Sequence, residues 1–204
     1  MMSKSKFSTR TMVLIGILAS VSFLLMQFEF PLPMFPPFLM IDASDLPSVI
    51  ASLSMGPAAA VLIQFIKNVL KFIINSKTAG VGELANFFIG VLFVVPLGLV
   101  YRKLPNLKGY IIGVIAGTVS MSVFAAILNY TILIPFYATL FGGMEVIIHL
   151  CTAVNSNITD LKTIILFAII PFNILKCFMI SILGYFTYRA LRLTPIFNMN
   201  HSNL

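Results

Sequence analysis

The chain has 204 residues, of which 59% are hydrophobic and only 9% charged. That leaves too little polar surface to dissolve a domain of this size in water, which excludes the soluble classes and indicates an all-α integral membrane protein. The net charge of +7 does not point to nucleic acid, because Lys4, Lys6, Arg10, Arg102, Lys103, Lys108, Arg189 and Arg192 flank apolar runs, the placement that sets membrane topology. At about 20 residues per crossing, the length suits one membrane domain, 1–204, with six spans.

The first predicted span covers about 11–28. A basic start followed by an apolar run resembles a signal peptide, but the run is longer than a signal core. Ala19-Ser20-Val21 is a poor cleavage site, so the segment reads as an uncleaved span. Gly16 and Ser20 lie four residues apart, a small-residue spacing that permits close helix approach and marks a candidate docking face. Prolines 31, 33, 36 and 37 then exclude a regular helix. The stretch is nevertheless apolar, which places it at the membrane interface or over a cavity mouth.

The second segment, about 44–55, opens on an N-cap signal at Ser44 or Asp45 with Pro47 in the first turn. It is short for a crossing and ends at the turn Gly56-Pro57. The third covers about 57–74 and the fourth about 82–101, with Pro96 as an expected kink. The fifth, about 109–140, is too long for one straight span, and Pro135 is expected to kink it or end it. Residues 142–162 read as a polar loop holding Cys151. The sixth span covers about 163–190 and holds Cys177, so the two cysteines are poorly placed to pair. A frayed tail, 193–204, follows.

With six spans, both termini share one side with the 55–57 turn and the 102–108 loop. The eight basic residues named above fall on that side. The six acidic residues, Glu29, Asp42, Asp45, Glu83, Glu145 and Asp160, fall toward the other. The excess of positive charge places both termini in the cytoplasm, and the acidic clustering hints at a polar, outward-facing mouth.

Four polar clusters interrupt the apolar runs. Lys67, Asn68 and Lys71 end the third span; the lysines read as snorkelling to the outer headgroups, and Asn68 as facing other helices. Glu83 and Asn86 share a face at the start of the fourth, where Glu83 serves either as a first-turn acid or as a cavity group. Asn129 and Tyr130 interrupt the fifth, as interhelical bonds or as a site. Asn173 and Lys176 sit near the middle of the last span, where an ammonium costs about 2.5–3.5 kcal/mol on insertion scales. A lysine there requires a partner, a wet cavity or a ligand, and Glu83 is its expected structural mate. Amide, carboxylate and ammonium groups together suit a neutral polar organic ligand. Phe35, Phe38, Phe87, Phe88 and Phe172 are available as walls for a flat one.

The sequence has no phosphate-binding Gly-x-x-x-x-Gly-Lys-Ser/Thr and no His-Glu-x-x-His. Its two histidines, His149 and His201, fall in loop and tail. No enzyme activity, metal or resident cofactor is expected. An ion-coupled secondary transporter, in which Lys176 or Glu83 titrates, is the competing reading.

Phe35-Pro-Pro-Phe-Leu-Met-Ile-Asp-Ala-Ser-Asp-Leu-Pro, Gly56-Pro, Ile66-Lys-Asn, Gly80-Val-Gly-Glu-Leu-Ala-Asn-Phe and Pro171-Phe-Asn-Ile-Leu-Lys, in this order, resemble the riboflavin-specific substrate-binding (S) component of energy-coupling factor (ECF) vitamin transporters. The likeness spans about 10–190. It implies six helices in a prokaryotic plasma membrane and an outer cavity covered by the proline-rich loop. It implies riboflavin as transported ligand, with flavin mononucleotide also admitted. Its implied partners are a transmembrane coupling subunit (T component) and two cytoplasmic ATPases, which drive delivery inward. Asn129, Asn173 and Lys176 are then the first ligand-binding candidates. Asn68, Glu83 and Asn86 follow, with Leu39 and Met40 as lid residues. The segment around Gly16 and Ser20 is similar to the family's docking motif, with Gly and Ser in place of its alanines.

Overall fold

The computed structural model describes residues 8–194. Lys4, Lys6 and the end of the tail, His201 included, lie outside the described residues. Ser8 caps α1 (Thr9–Gln27), its hydroxyl accepting from the Thr11 amide at 3.2 Å. The chain then pairs Phe30 with Ile41 and Pro31 with Met40 in a minimal antiparallel ladder, β1 (Phe30–Pro31) with β2 (Met40–Ile41). This closes the proline-rich stretch into a hoop. Both strands of such a ladder are edges, where a proline, having no amide to donate, is tolerated.

The hoop leads into α2 (Leu46–Ser54), which is nine residues long. At 1.5 Å per residue α2 is about 14 Å long, too short for a bilayer core of about 30 Å. It is enclosed on nearly every side, with Pro47 through Ser54 all buried. The irregular backbone ahead of α2 is sheltered by protein, the condition for such backbone at membrane depth. The Ser22 hydroxyl of α1, for example, donates to the Ser44 carbonyl. Gly56, with φ of +100°, turns the chain into α3 (Pro57–Asn75). A Cβ at Gly56 would come within 2.9 Å of the Arg102 guanidinium.

Helix α4 (Val81–Lys103) runs through Pro96 without interruption. Helix α5 (Leu107–Phe141) also runs on past Pro135, so the fifth segment does not break into two helices. A π-turn at Asn129–Leu133 makes this possible, with the Ile134 amide donating to the Asn129 carbonyl. Helix α7 (Leu161–Leu191) uses the same device at Ile165–Ile169, where Ile170 donates to Ile165, just before Pro171. A proline ring collides with the carbonyl four residues back, and a turn widened to i→i−5 relieves that collision.

The 142–162 stretch is not simply a polar loop. It contains α6 (Met144–Thr152), introduced by Gly142 and Gly143 at positive φ. Ile147 and Cys151 lie one turn apart on its inner face and are fully buried with Ile158 and Ile164. Burial pushes the Cys151 thiol up to about 11, which leaves it unreactive.

Among the described residues five helices, α1, α3, α4, α5 and α7, are long and apolar enough to cross a membrane. Their outward residues are apolar too, Ile17, Phe65, Phe72, Val119 and Phe178 among them, as expected where the surroundings are lipid. The main core gathers Leu53, Ile63, Val94, Leu97 and Met121. Beside it α4 and α5 approach closely: a Cβ at Gly113 or Gly117 would lie 2.9 or 2.4 Å from the carbonyl oxygen of Leu97 or Phe93.

Candidate functional site

Helix α3 is amphipathic in reverse. Gln64, Lys67, Asn68 and Lys71, at i, i+3, i+4 and i+7, form one buried face. Leu62, Phe65, Phe72 and Ile73 point outward. The lysines therefore do not snorkel. Lys67 is wholly enclosed, its Nζ donating to Asp45 Oδ1 at 2.6 Å and to Ser44 Oγ at 2.9 Å. Lys71 pairs with Glu29 at 3.2 Å, and Glu29 also meets Lys77 at 3.2 Å. A cation inside the bundle reaches a carboxylate sooner than it reaches headgroups, because the loop between α1 and α2 brings acids down to it.

Asp45, together with Asp42 from the same loop, also holds Lys176. Its Nζ lies 3.2 Å from Asp45 Oδ2 and 3.9 Å from Asp42 Oδ2. Glu83 is not its mate; that carboxylate accepts from Thr78 Oγ1 at 2.9 Å. Asp45 makes no helix cap with its side chain. Its two oxygens are divided between lysines of two helices, and Gln64 Nε2 adds a further donor at 2.8 Å.

This cluster adjoins a cavity of about 330 Å³, bounded by the hoop, α4, α5 and α7, and Asp42 and Lys176 are part of its lining. Glu83, Asn86, Asn129, Asn173 and Lys176 line it, as do Leu39 and Met40 from the hoop. The structure thus brings seven of the eight sequence candidates together. Asn68 is the exception. It stands behind the wall, accepting from Asn86 Nδ2 at 3.2 Å and donating to the Gln64 carbonyl at 2.8 Å.

The two inner asparagines are alike. Asn129 Nδ2 donates to the Ala125 carbonyl and Asn173 Nδ2 to the Ile169 carbonyl, each at 2.8 Å and four residues back. This fixes each amide on its own helix. Neither Oδ1 accepts a hydrogen bond from another described residue, so two oriented acceptors remain beside an ammonium donor. Apolar surface comes from Phe38, Tyr137 and Phe172. Phe35 supports this wall from behind, edge-on to Phe172 at 5.3 Å. Phe87 and Phe88 are not part of the lining.

Sequence reasoning missed Asp42, Lys71, Lys77 and Thr78, all of which line the cavity. It gave Asp45 a capping role and a place among the outer acids, and no lysine partner. The available signal was numerical: three lysines in apolar helices, Lys67, Lys71 and Lys176, need acids, and Glu83 alone is too few. Among the described residues no three His, Cys, Asp or Glu gather as a metal site. On α1, Ser20 Oγ donates to the Gly16 carbonyl at 2.9 Å, and a Cβ at Gly16 would meet nothing within 4 Å. Both residues lie on the open face of that helix.

Comparison with known proteins accords with this geometry. Residues 10–188 match the family model of the ECF transporter substrate-specific component. The chain is 36% identical over 188 residues to riboflavin transporter FmnP of Bacillus subtilis (strain 168), covering 91% of this chain and 93% of that one. It is 34% identical over 182 residues to riboflavin transporter RibU of Staphylococcus aureus (strain TCH60), with 89% and 90% covered. A solved structure of the S component of a bacterial ECF transporter superposes with a TM-score of 0.72 at 33% identity, covering 89% of this chain and 95% of the other. The chain belongs to the substrate-specific components of ECF transporters, multi-pass membrane subunits that bind substrate and carry out no catalysis.

Proposed function

We propose that this protein is the high-affinity riboflavin-binding subunit of an ATP-driven ECF vitamin uptake transporter in a prokaryotic cell membrane. The observation that carries the reading is the convergence of two unoccupied asparagine acceptor oxygens and the Lys176 ammonium on one aromatic-walled cavity. The cavity's volume falls within the range of small-molecule sites, about 300–1,000 Å³. An isoalloxazine ring is flat and matches Phe38, Tyr137 and Phe172. Its polar edge and the ribityl hydroxyls need partners, since an unpaired buried polar group costs about 1–3 kcal/mol. Asn129, Asn173 and Lys176 supply the first of these, and Glu83 and Asn86 the next. Asn68 acts through Asn86. Leu39 and Met40 cover the ligand from the hoop. The similarity to named riboflavin transporters selects riboflavin within this chemistry, and flavin mononucleotide shares the ring.

In this reading α2 and the loop descending to it make the sixth crossing of a single membrane domain. The basic ends at Arg102, Lys103, Arg189 and Arg192 face the cytoplasm with both termini, and the cavity opens outward. A transmembrane coupling subunit docks on the open α1 face at Gly16 and Ser20, and two cytoplasmic ATPases drive release inward. Riboflavin added to the purified protein should lose its fluorescence on binding, and protein isolated from flavin-rich cells should be yellow. Colourless protein that leaves riboflavin fluorescence unchanged overturns the assignment. Uptake that collapses with the ion gradient and proceeds without the ATPases would establish the ion-coupled alternative instead.

A further inference from the structure

Lys67 and Asp45 are buried, ionisable and outside the cavity lining, so ligand contact does not explain them. They are joined to the lining through Lys176. Asp45 offers one oxygen to Lys67 at 2.6 Å and the other to Lys176 at 3.2 Å, while Asp42 approaches Lys176 at 3.9 Å from the root of the hoop. Two ammonium groups and two carboxylates thus form a connected quartet, drawn from α3, α7 and the descending loop, with a formal charge of zero.

We propose that Asp42, Asp45 and Lys67 are specificity-determining residues that hold the charge beside the pocket at zero, so that Lys176 meets the ligand as a hydrogen-bond donor and not as an anion trap. The physical basis is the weak screening inside the bundle. An unbalanced charge there acts over many ångströms, because the effective dielectric constant is far below that of water. A lone Lys176 would favour any anion small enough to enter. Balanced by two carboxylates, it retains N–H donors for a neutral oxygen. Lys67 is needed because Asp45 and Asp42 together would overcompensate a single ammonium. The inference rests on the reading of the cavity as a flavin site.

The test compares riboflavin with flavin mononucleotide, which adds an anionic phosphate to the same ring and chain, by fluorescence titration of the purified protein. Asp45→Asn leaves the quartet at +1 and should shift the affinity ratio toward the phosphorylated flavin, by roughly tenfold. Lys67→Met leaves −1 and should shift the ratio the other way. The double variant restores zero and should return the ratio to that of the parent, whatever its absolute affinities. Asp42→Asn, which leaves the Lys67–Asp45 pair intact, should move the ratio as Asp45→Asn does and serves if the deeper variants fail to fold. If the parent does not bind flavin mononucleotide measurably, Asp45→Asn or Asp42→Asn should confer binding. Single variants that shift the ratio in one common direction, or not at all, overturn the proposal.

Failure of the flavin reading is separable from failure of this one. Parent protein that ignores riboflavin defeats the former. Melting temperatures of the ligand-free proteins test the quartet alone: the double variant should recover part of what each single variant loses. Losses that simply add would show that no charge-balanced unit exists.

Discussion

Along their shared length, α4 and α5 pass from one kind of packing to another. Near the Gly56 end, Gly113 and Gly117 bring the backbones together over Leu97 and Phe93, and the seam has no room for a methyl group. Farther along, Ile89, Met121 and Asn129 replace the small residues, and the same two helices border the cavity. The seam is held by dispersion and close approach, which in lipid must substitute for the hydrophobic effect. The cavity side is held by ion pairs and oriented amides, which are strong only while complete. A binding subunit needs both: the seam gives a fixed frame, and the polar side gives groups whose partners a ligand can join.

The sharpest way to break this contrast is at Asp45. Asp45→Leu strands Lys67 and weakens the hold on Lys176, and should cost about 3–5 kcal/mol, the range for removing one partner of a buried pair. Thermal unfolding in detergent would measure it. Next is Gly117→Val, which forces the seam apart at the Phe93 carbonyl and should cost about 1–3 kcal/mol. Its signature is a lowered melting temperature with riboflavin affinity nearly retained in the protein that remains folded. Asn173→Ala should do the reverse. It should weaken riboflavin binding by about tenfold, the equivalent of one hydrogen bond, with little change in the ligand-free melting temperature. The smallest effect is expected at Lys77→Gln. The exposed Lys77 pairs with the partly accessible Glu29, and should contribute about 0.5 kcal/mol, less as salt is raised. A melting-temperature series in salt would check it.

Much of the site was legible because polar residues in apolar runs are costly and therefore conspicuous. Asn129, Asn173, Lys176, Glu83 and Asn86 stood out on that ground, and Leu39 and Met40 through the family resemblance. Asp42 and Asp45 did not stand out, because they belong to a loop that sequence places at the surface, and Asp45 resembles a helix cap. Asn68 was conspicuous but faces Asn86. The direction in which a helix presents one amide depends on the packing angle of its neighbours, which no local pattern encodes. Helix α6 was hidden for a different reason: Gly142-Gly143 and Asn155-Ser-Asn resemble loop, and nine residues give periodicity too little length to register.

Composition alone determined that this chain lives in a membrane, and hydropathy with its proline and glycine breaks determined where the long helices lie, because lipid leaves the backbone few options. Tertiary structure decided the rest. It set the short α2 deep within the bundle, carried Asp42 and Asp45 down to Lys67 and Lys176, and widened α5 and α7 by π-turns so that neither proline ended its helix. These outcomes depend on charges and backbone groups finding partners across helices. Sequence shows that a buried lysine needs an acid, and only the folded bundle selects which one.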